Sequence, residues 1–443
     1  MPKLPIDSAE LKPKTLGSCT VESPLIAHSN DHRAPVRFVR DDGGVIFDPC
    51  NIHRDEEDQA FHTDAVLELA GPRQKIYFDA NETKAAIVTC GGLCPGINDV
   101  VRGLVMTLFY RYGVKDIYGV PYGFQGFIES YGHKRINLTP ELVSPIHRSG
   151  GSILSSSRGK QDSQEILNTL CRWGVNTLFV IGGDGTQRAA HEIAELAIAQ
   201  KIELSVVGVP KTIDNDIPYM DKSFGFETAF SEGVKAITCA HNEARGNPNG
   251  VGIVKLMGRH SGFIACHAAL AMNDANYVLI PEVLFKLHGQ SGLLPVIFER
   301  LRKKSHAVIV VAEGAGQDLM DAEMGHDASG NKVLGDIGVF LKQKMNAYAE
   351  SVGMEVNIKY IDPSYIIRGV VATPQDSLYC LILAENAVHA AMSGRTKVVI
   401  GRLHGFYVNL PMALISQGRK RVNPSGYLWG SVLAATGQPT SFI

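Results

Sequence analysis

Phe179-Val180-Ile181-Gly182-Gly183-Asp184-Gly185-Thr186 decides the fold. An apolar run that begins at Thr177 stops abruptly in three glycines around one aspartate. From Gln187 to Ala199 apolar residues then recur at helical spacing. A strand feeding a glycine turn that feeds a helix is half of a parallel crossover unit. The same alternation extends in both directions from about Lys84 onward. Strands are expected over residues 85–89, 116–120, 177–181, 205–209, 251–257, 307–312, 356–360 and 397–400, and helices over 97–110, 163–172, 187–199, 228–242 and 334–351. That pattern makes the chain α/β, with mostly parallel sheets covered on both faces. In such sheets ligands bind beyond the carboxyl ends of the strands, so the residues just after each strand carry the functional reading.

The chain has 443 residues, more than one hydrophobic core usually supports, so two domains and an appendage are expected. A hydrophobic fraction of 45%, a charged fraction of 20% and a formal charge of -2 describe an ordinary globular protein with no electrostatic case for nucleic acid. Eight scattered cysteines without a Cys-x-x-Cys pair read as free thiols of a reducing compartment. Cys90 and Cys94, in a glycine-rich turn, read as small buried fillers. No apolar stretch is long enough to span a bilayer, the first residues do not form a signal peptide, and the last three are not Ser-Lys-Leu, so the expected compartment is the cytoplasm. Residues 1–80 are rich in turns and weakly periodic, with short strands expected at 44–47 and 75–78. They read as an extension that wraps the core or an oligomer contact.

Three clusters suit phosphate chemistry. Cys90-Gly91-Gly92-Leu93-Cys94-Pro95-Gly96 follows the first core strand and precedes a helix, where backbone N–H groups and the helix N-terminus favour an anion. No Gly-Lys-Ser/Thr follows, so it is not a Walker A loop. Gly182-Gly183-Asp184-Gly185-Thr186 offers bare backbone for phosphates and one carboxylate able to hold Mg²⁺. The plain alternative there is a capping turn with Thr186 as N-cap. Pro210-Lys211-Thr212-Ile213-Asp214-Asn215-Asp216 leaves an apolar strand. If extended, it projects Asp214 and Asp216 to one side, where one carboxylate takes a proton and the other organises metal or water. Arg158, Arg259 and Arg368 are candidate anion clamps, and Glu313 ends an apolar run where an unpaired carboxylate is costly.

Cys-Gly-Gly-x-Cys-Pro-Gly-x-Asn, Gly-Gly-Asp-Gly-Thr, Pro-Lys-Thr-Ile-Asp-Asn-Asp and Met-Gly-Arg-His-Ser-Gly, in that order, resemble the phosphofructokinase family over residues 84 to at least 400. With Ser-Ser-Ser-Arg-Gly, Ile-Asp-Pro-Ser-Tyr-Ile-Ile-Arg and the N-terminal extension, the chain is similar to the long branch of that family, which is related to its pyrophosphate users. The resemblance implies two Rossmann-like three-layer domains. A nucleotide-binding domain would take 81–225 and 376–405, and a sugar-phosphate domain 226–375 and 406–443, after an extension at 1–80. It implies transfer of the γ-phosphoryl group of MgATP to the 1-hydroxyl of fructose 6-phosphate. Asp214 matches the general base and Asp184 the Mg²⁺ carboxylate. Gly92, Arg158, Gly159, Gly183, Asp184, Gly185 and Thr186 match ATP contacts. Thr212, Ile213, Asp214, Met257, Gly258, Arg259, Glu313, Tyr365, Ile366, Ile367 and Arg368 match fructose 6-phosphate contacts. Sites in the family are completed across the subunits of a tetramer or dimer, so a homo-oligomer is expected, and allosteric control is a family trait.

Donor choice rests on Gly185 and Lys211. Pyrophosphate users carry Asp at the first position, where a side chain fills the place of the nucleotide α-phosphate and repels it; Lys211 is shared with them. The ATP users of the long branch combine Gly with Lys, as here. A pyrophosphate-dependent enzyme is the alternative, and a non-catalytic sugar-phosphate-binding subunit a more remote one. NAD and lipid kinases share Gly-Gly-Asp-Gly-Thr but lack the paired carboxylates together with Met-Gly-Arg.

Overall fold

The structure, a computed structural model, describes residues 8–30, 36–47, 53–54, 61–62, 65–320, 325 and 333–443. Two compact units are present: the first takes the described residues up to Thr212 with Ile217–Phe224 and Val371–Arg419, and the second takes Ile213–Asp216, Gly225–Val370 and Lys420–Ile443.

Two main sheets are carried by β1 (Lys84–Thr89), β2 (Asp116–Val120), β3 (Ile136–Asn137), β4 (Thr177–Gly182), β5 (Ser205–Pro210), β6 (Gly250–Leu256), β7 (Tyr277–Leu279), β8 (His306–Ala312), β9 (Asn357–Ile361), β10 (Val398–Leu403) and β11 (Phe406–Pro411). The helices that matter here are α1 (Ile97–Met106), α2 (Ser163–Trp173), α3 (Asp184–Ala199), α4 (Phe226–Arg245), α5 (Phe263–Met272), α6 (Leu293–Lys304), α7 (Ile337–Ser351), α8 (Ser364–Gly369) and α9 (Pro374–Met392).

In the first unit the strand order is β3-β2-β1-β4-β5-β10-β11. The interior ladders are parallel, Phe179 facing Ile87 and Val207, and antiparallel strands β3 and β11 close the two edges. Strands β4 and β5 are buried along their whole length, as parallel strands covered on both faces must be. Alternate residues Ala86, Val88, Leu178, Val180 and Val206 join Ile166, Leu170, Ile193 and Ala194 of α2 and α3 in one core. Helices α1 and α9 pack together, and α9 lies against β4, β5 and β10. The second unit repeats the layering with order β7-β8-β6-β9, all parallel. Val251, Ile253, Ile309 and Val311 pack on Ile297, Phe298, Leu341 and Met345 of α6 and α7, while α4 and α5 lie against β6 and β8.

The sequence places residues 406–419 with the second domain; the strand pairing puts them in the first unit. β10 and β11 form a hairpin closed by His404 and Gly405, whose φ values of 52° and 85° are the left-handed pair that a tight two-residue turn requires. His-Gly is a weaker cue for that turn than Asn-Gly, so the strand after it was not legible. β3 and β7, of two and three residues, are too short to show periodicity.

The extension is built into the first unit. Lys14–Thr15 pairs with Arg395–Thr396, and Leu69 bridges to Val408. Leu11, Val45 and Leu67 enter the sheet's own core. The expected short strands are present at Gly44–Ile46 and Lys75–Ile76. Beneath them Arg73 and Arg395, both nearly fully buried, share Glu68 at 3.1 Å each and Asp41 at 2.9 and 3.0 Å. The Asn409 amide donates to the same Glu68 oxygen at 2.6 Å. Cys90 and Cys94 are buried, and burial pushes the Cys90 thiol up to about 12, which suits a filler. Cys50 lies outside the described residues. No helix among the described residues is long and apolar enough to cross a membrane.

His389, on α9, is buried with Nδ1 2.8 Å from the Tyr112 hydroxyl. Burial, followed by the charges of Arg111 and Arg73, lowers its pKa to about 3. The unfolded chain takes up this proton near 6.5 and the folded chain does not, so acidification through that window favours unfolding. By pH 5 the effect amounts to roughly 2 kcal/mol. Denaturant midpoints taken at pH 7 and pH 5 should fall further apart for the native protein than for His389→Gln; equal shifts would show that His389 is not the acid-labile group.

Candidate active site

In the first unit β4 runs into Gly182 and Gly183, and α3 begins at Asp184 with Gly183 as its N-cap. The helix thus starts three residues earlier than the spacing suggests, and Thr186 lies within its first turn, which removes the capping-turn alternative. The three glycines have different reasons. A Cβ on Gly182 would lie 2.3 Å from the Thr186 methyl carbon, and one on Gly183 would press on the Lys211 carbonyl at 3.3 Å. A Cβ on Gly185 would meet nothing within 4 Å. Packing therefore demands the first, constrains the second, and leaves the third bare over open space at a helix N-terminus, where a phosphate is favoured.

Neighbouring turns are tied to this one. The Gln187 amide, buried behind the loop, donates to the carbonyls of Gly182 at 3.0 Å and Val209 at 3.2 Å, which joins the ends of β4 and β5. Lys211 N–H donates to Gly182 O at 3.0 Å, and its buried ammonium donates to Gly92 O at 2.7 Å. Gly91, at φ 85°, donates to Ser157 O at 3.1 Å and accepts from the Ser156 hydroxyl at 2.6 Å. The chain then continues into exposed Arg158 and into Gly159 at φ 98°. Gly92, Arg158, Gly159, Gly183 to Thr186 and Lys211 therefore belong to one connected set of loops. Thr212 ends it, its carbonyl accepting from Ser223 Oγ at 2.6 Å.

Asp184, about one-fifth exposed, pairs with Arg188 at 2.9 Å and Arg419 at 3.5 Å. Neither arginine stands out in the sequence; Arg188 is found only by counting one helical turn from Asp184. Magnesium takes oxygen ligands, keeps several waters, and is usually held by one or two carboxylates with substrate phosphates. No group of three or more His, Cys, Asp or Glu able to hold a metal occurs among the described residues. A single carboxylate at the end of a glycine turn, as Asp184 is, fits Mg²⁺ brought in with a nucleotide.

The second unit gathers the other residues. Ile213–Asp216 is not extended throughout: it turns at Ile213 and Asp214, and Asn215 takes φ 54°. Burial still alternates, with Ile213 and Asn215 inside and Asp214 and Asp216 partly exposed. Ser261 Oγ donates to Asp214 O at 2.9 Å, and Lys420 N–H to Asp216 O at 2.8 Å. Ser261 belongs to the turn of Met257, Gly258 and Arg259, where glycine is needed because residue 258 takes φ 132° and a Cβ would strike Ser261 O at 2.4 Å. The next loop packs on this turn by backbone, Gly314 N–H donating to Gly258 O at 3.2 Å. Burial raises the pKa of Glu313, and the charges of Arg259, Lys255 and Arg368 oppose the rise, so this carboxylate lies among three cations. Lys255 is fastened at 2.9 Å to both Asp336 and Asp362, the second at the entrance to α8. On α8 the Arg368 guanidinium lies 5.0 Å from the centre of the exposed Tyr365 ring. Ile366 is exposed, but Ile367 has no exposure and Ile213 very little, so their side chains serve packing and not a sugar phosphate. A cavity of about 360 Å³ opens beside Arg259, with His260, Gln317 and Arg421 as its other polar lining and Pro281, Gly314 and Leu334 completing the wall. Lys255 and Arg421 carry no motif that would have singled them out.

A family model for phosphofructokinase matches residues 84–391. The ATP-dependent 6-phosphofructokinase of Amycolatopsis methanolica is 47% identical over 440 residues, 98% of this chain and 96% of that protein. The enzyme of the same name from Borreliella burgdorferi is 45% identical over 446 residues, 98% of each chain. Among solved structures, the pyrophosphate-dependent phosphofructokinase of Nitrosospira multiformis superposes with a TM-score of 0.67 at 19% identity, covering 81% of this chain and 92% of its own; that likeness is one of fold.

Proposed function

The chain belongs to the phosphofructokinase family, and from that premise we propose that it is an ATP-dependent 6-phosphofructokinase that converts fructose 6-phosphate to fructose 1,6-bisphosphate. The observation that carries the donor is Gly185: no neighbour and no backbone strain calls for glycine there, so the bare position leaves room for a nucleotide.

Asp214 accepts the proton of the sugar's 1-hydroxyl as that oxygen bonds to the γ-phosphorus, and the bond from phosphorus to the β,γ-bridging oxygen breaks to release ADP. Gly183, Gly185 and Thr186, with Gly92 and Arg158, hold the donor phosphates, the first two through backbone N–H groups. Mg²⁺ held at Asp184 would supply charge neutralisation to those phosphates. Arg259 and Arg368 neutralise the sugar phosphate, and Thr212, Met257, Gly258, Glu313 and Tyr365 orient the sugar. Positioning and fixed charge supply most of the rate enhancement in phosphoryl transfer. The enzyme works as a cytoplasmic homo-oligomer, and Asp184 and Asp214 are both intact, which favours a catalyst over a regulatory subunit.

A coupled assay of the purified protein with ATP and pyrophosphate side by side tests the donor; turnover with pyrophosphate alone would overturn it. In Gly185→Asp the new acid occupies open space in a helical first turn, where acids are favoured, so the fold should survive. A like charge about 4 Å from the α-phosphate costs about 4 kcal/mol at an effective dielectric of 20, and kcat/KM for ATP should fall at least ~100-fold. Pyrophosphate use should fall much less. An unchanged donor preference would defeat the role given to residue 185.

A further inference from the structure

The second unit holds a cation that the motifs do not assign. Arg421 lines the same 360 Å³ cavity as Arg259, and among the described residues no carboxylate shares that lining. Two arginines lining one cavity suit a phosphate dianion, which can accept paired hydrogen bonds from each guanidinium fork. Pro281 and Leu334 give the cavity an apolar side for a carbon skeleton. Arg421 is itself exposed, yet the backbone on both sides of it is pinned. Lys420 N–H donates to Asp216 O at 2.8 Å, and Lys420 Nζ to Asn215 Oδ1 at 3.3 Å. Val422 N–H donates to Glu282 Oε1 at 2.8 Å, and the same oxygen accepts from Gly262 N–H at 3.0 Å. Gly262 closes the turn that carries Arg259. Arg421 is therefore strung between the segment of the proposed base and the turn of the first anion clamp. Fixing the backbone in this way removes part of the ordering cost of using a long side chain for recognition.

We propose that Arg421 is a specificity-determining residue that binds the phosphate of the acceptor sugar together with Arg259, so that a phosphorylated sugar is chosen over a free one. The inference rests on the activity given above, and wild-type turnover with fructose 6-phosphate and ATP is the first measurement; its absence would defeat that activity and not Arg421 in particular. With an active wild type, Arg421→Ala should raise KM for fructose 6-phosphate by about 10- to 100-fold, the usual worth of a lost charge-assisted hydrogen bond, while kcat and KM for ATP stay within about twofold. Arg421→Lys should recover part of the loss, since an ammonium keeps the charge without the fork. Unchanged KM for fructose 6-phosphate in both variants would overturn the proposal. So would a fall in kcat at unchanged KM, or an altered response to added inorganic phosphate with KM unchanged, which would make the cavity an effector site.

Discussion

Asp214→Asn should lower kcat by roughly 10² to 10⁴ while KM for fructose 6-phosphate changes only a few-fold. The substitution keeps the size of the side chain and removes its basicity, so it separates proton acceptance from shape. Asp214 is held through its main chain, where the carbonyl accepts from Ser261 Oγ, and Lys420 fixes Asp216 through its carbonyl. These main-chain bonds do not involve the Asp214 carboxylate and survive the substitution. A loss confined to kcat, seen in steady-state assays with both substrates varied, assigns the proton to Asp214. Turnover within a few-fold of the native enzyme would remove it from that role.

Glu68→Ala should destabilise the protein by about 3–5 kcal/mol, the cost of stripping a partner from a buried ion cluster. Glu68 is mostly buried and one of its oxygens receives Arg73, Arg395 and the Asn409 amide. Burial alone pushes Arg395 toward losing its proton, and the charges of Glu68 and Asp41 reverse that. Without Glu68 the two arginines face each other with, among the described residues, only Asp41, a much more exposed acid, to balance them. Guanidinium groups do not escape by deprotonation, so the penalty falls on the fold. Denaturant unfolding followed by circular dichroism measures it; a midpoint equal to that of the native protein would show that the cluster contributes no net stability.

Much of the architecture was legible because parallel strands buried on both faces announce themselves as short apolar runs. Thr177–Gly182 and Asp116–Val120 are found almost to the residue. What could not be read was set by geometry without a residue signature: a hairpin turned by His404 and Gly405, and a two-residue edge strand. The site divided in the same way. Glycines and acids after strands marked the glycine loops and Asp214 as candidates, since those residue types are unusual there. The expected extension of residues 213–216 failed because Asn215 adopts a left-handed conformation, which asparagine tolerates and periodicity does not reveal. Ile367 entered as a contact by likeness alone, and its side chain is buried. Arg188, Arg419, Lys255 and Arg421 were invisible because arginine and lysine are common on every surface; only their partners set them apart.

The pairing of residues 66–73 with residues 395–409 fixes an order of events during synthesis. Leu69 meets Val408, Ala70 N–H reaches Tyr407 O at 2.9 Å, and Arg73 shares its acids with Arg395. A ribosome adding 5–20 residues per second delivers the second set roughly 15 to 65 s after the first. Throughout that interval the early segment lacks these partners, and the sheet lacks its last two strands. The first unit therefore cannot close until residues 395–409 have been made, and the second, which takes Lys420–Ile443, is completed only after that.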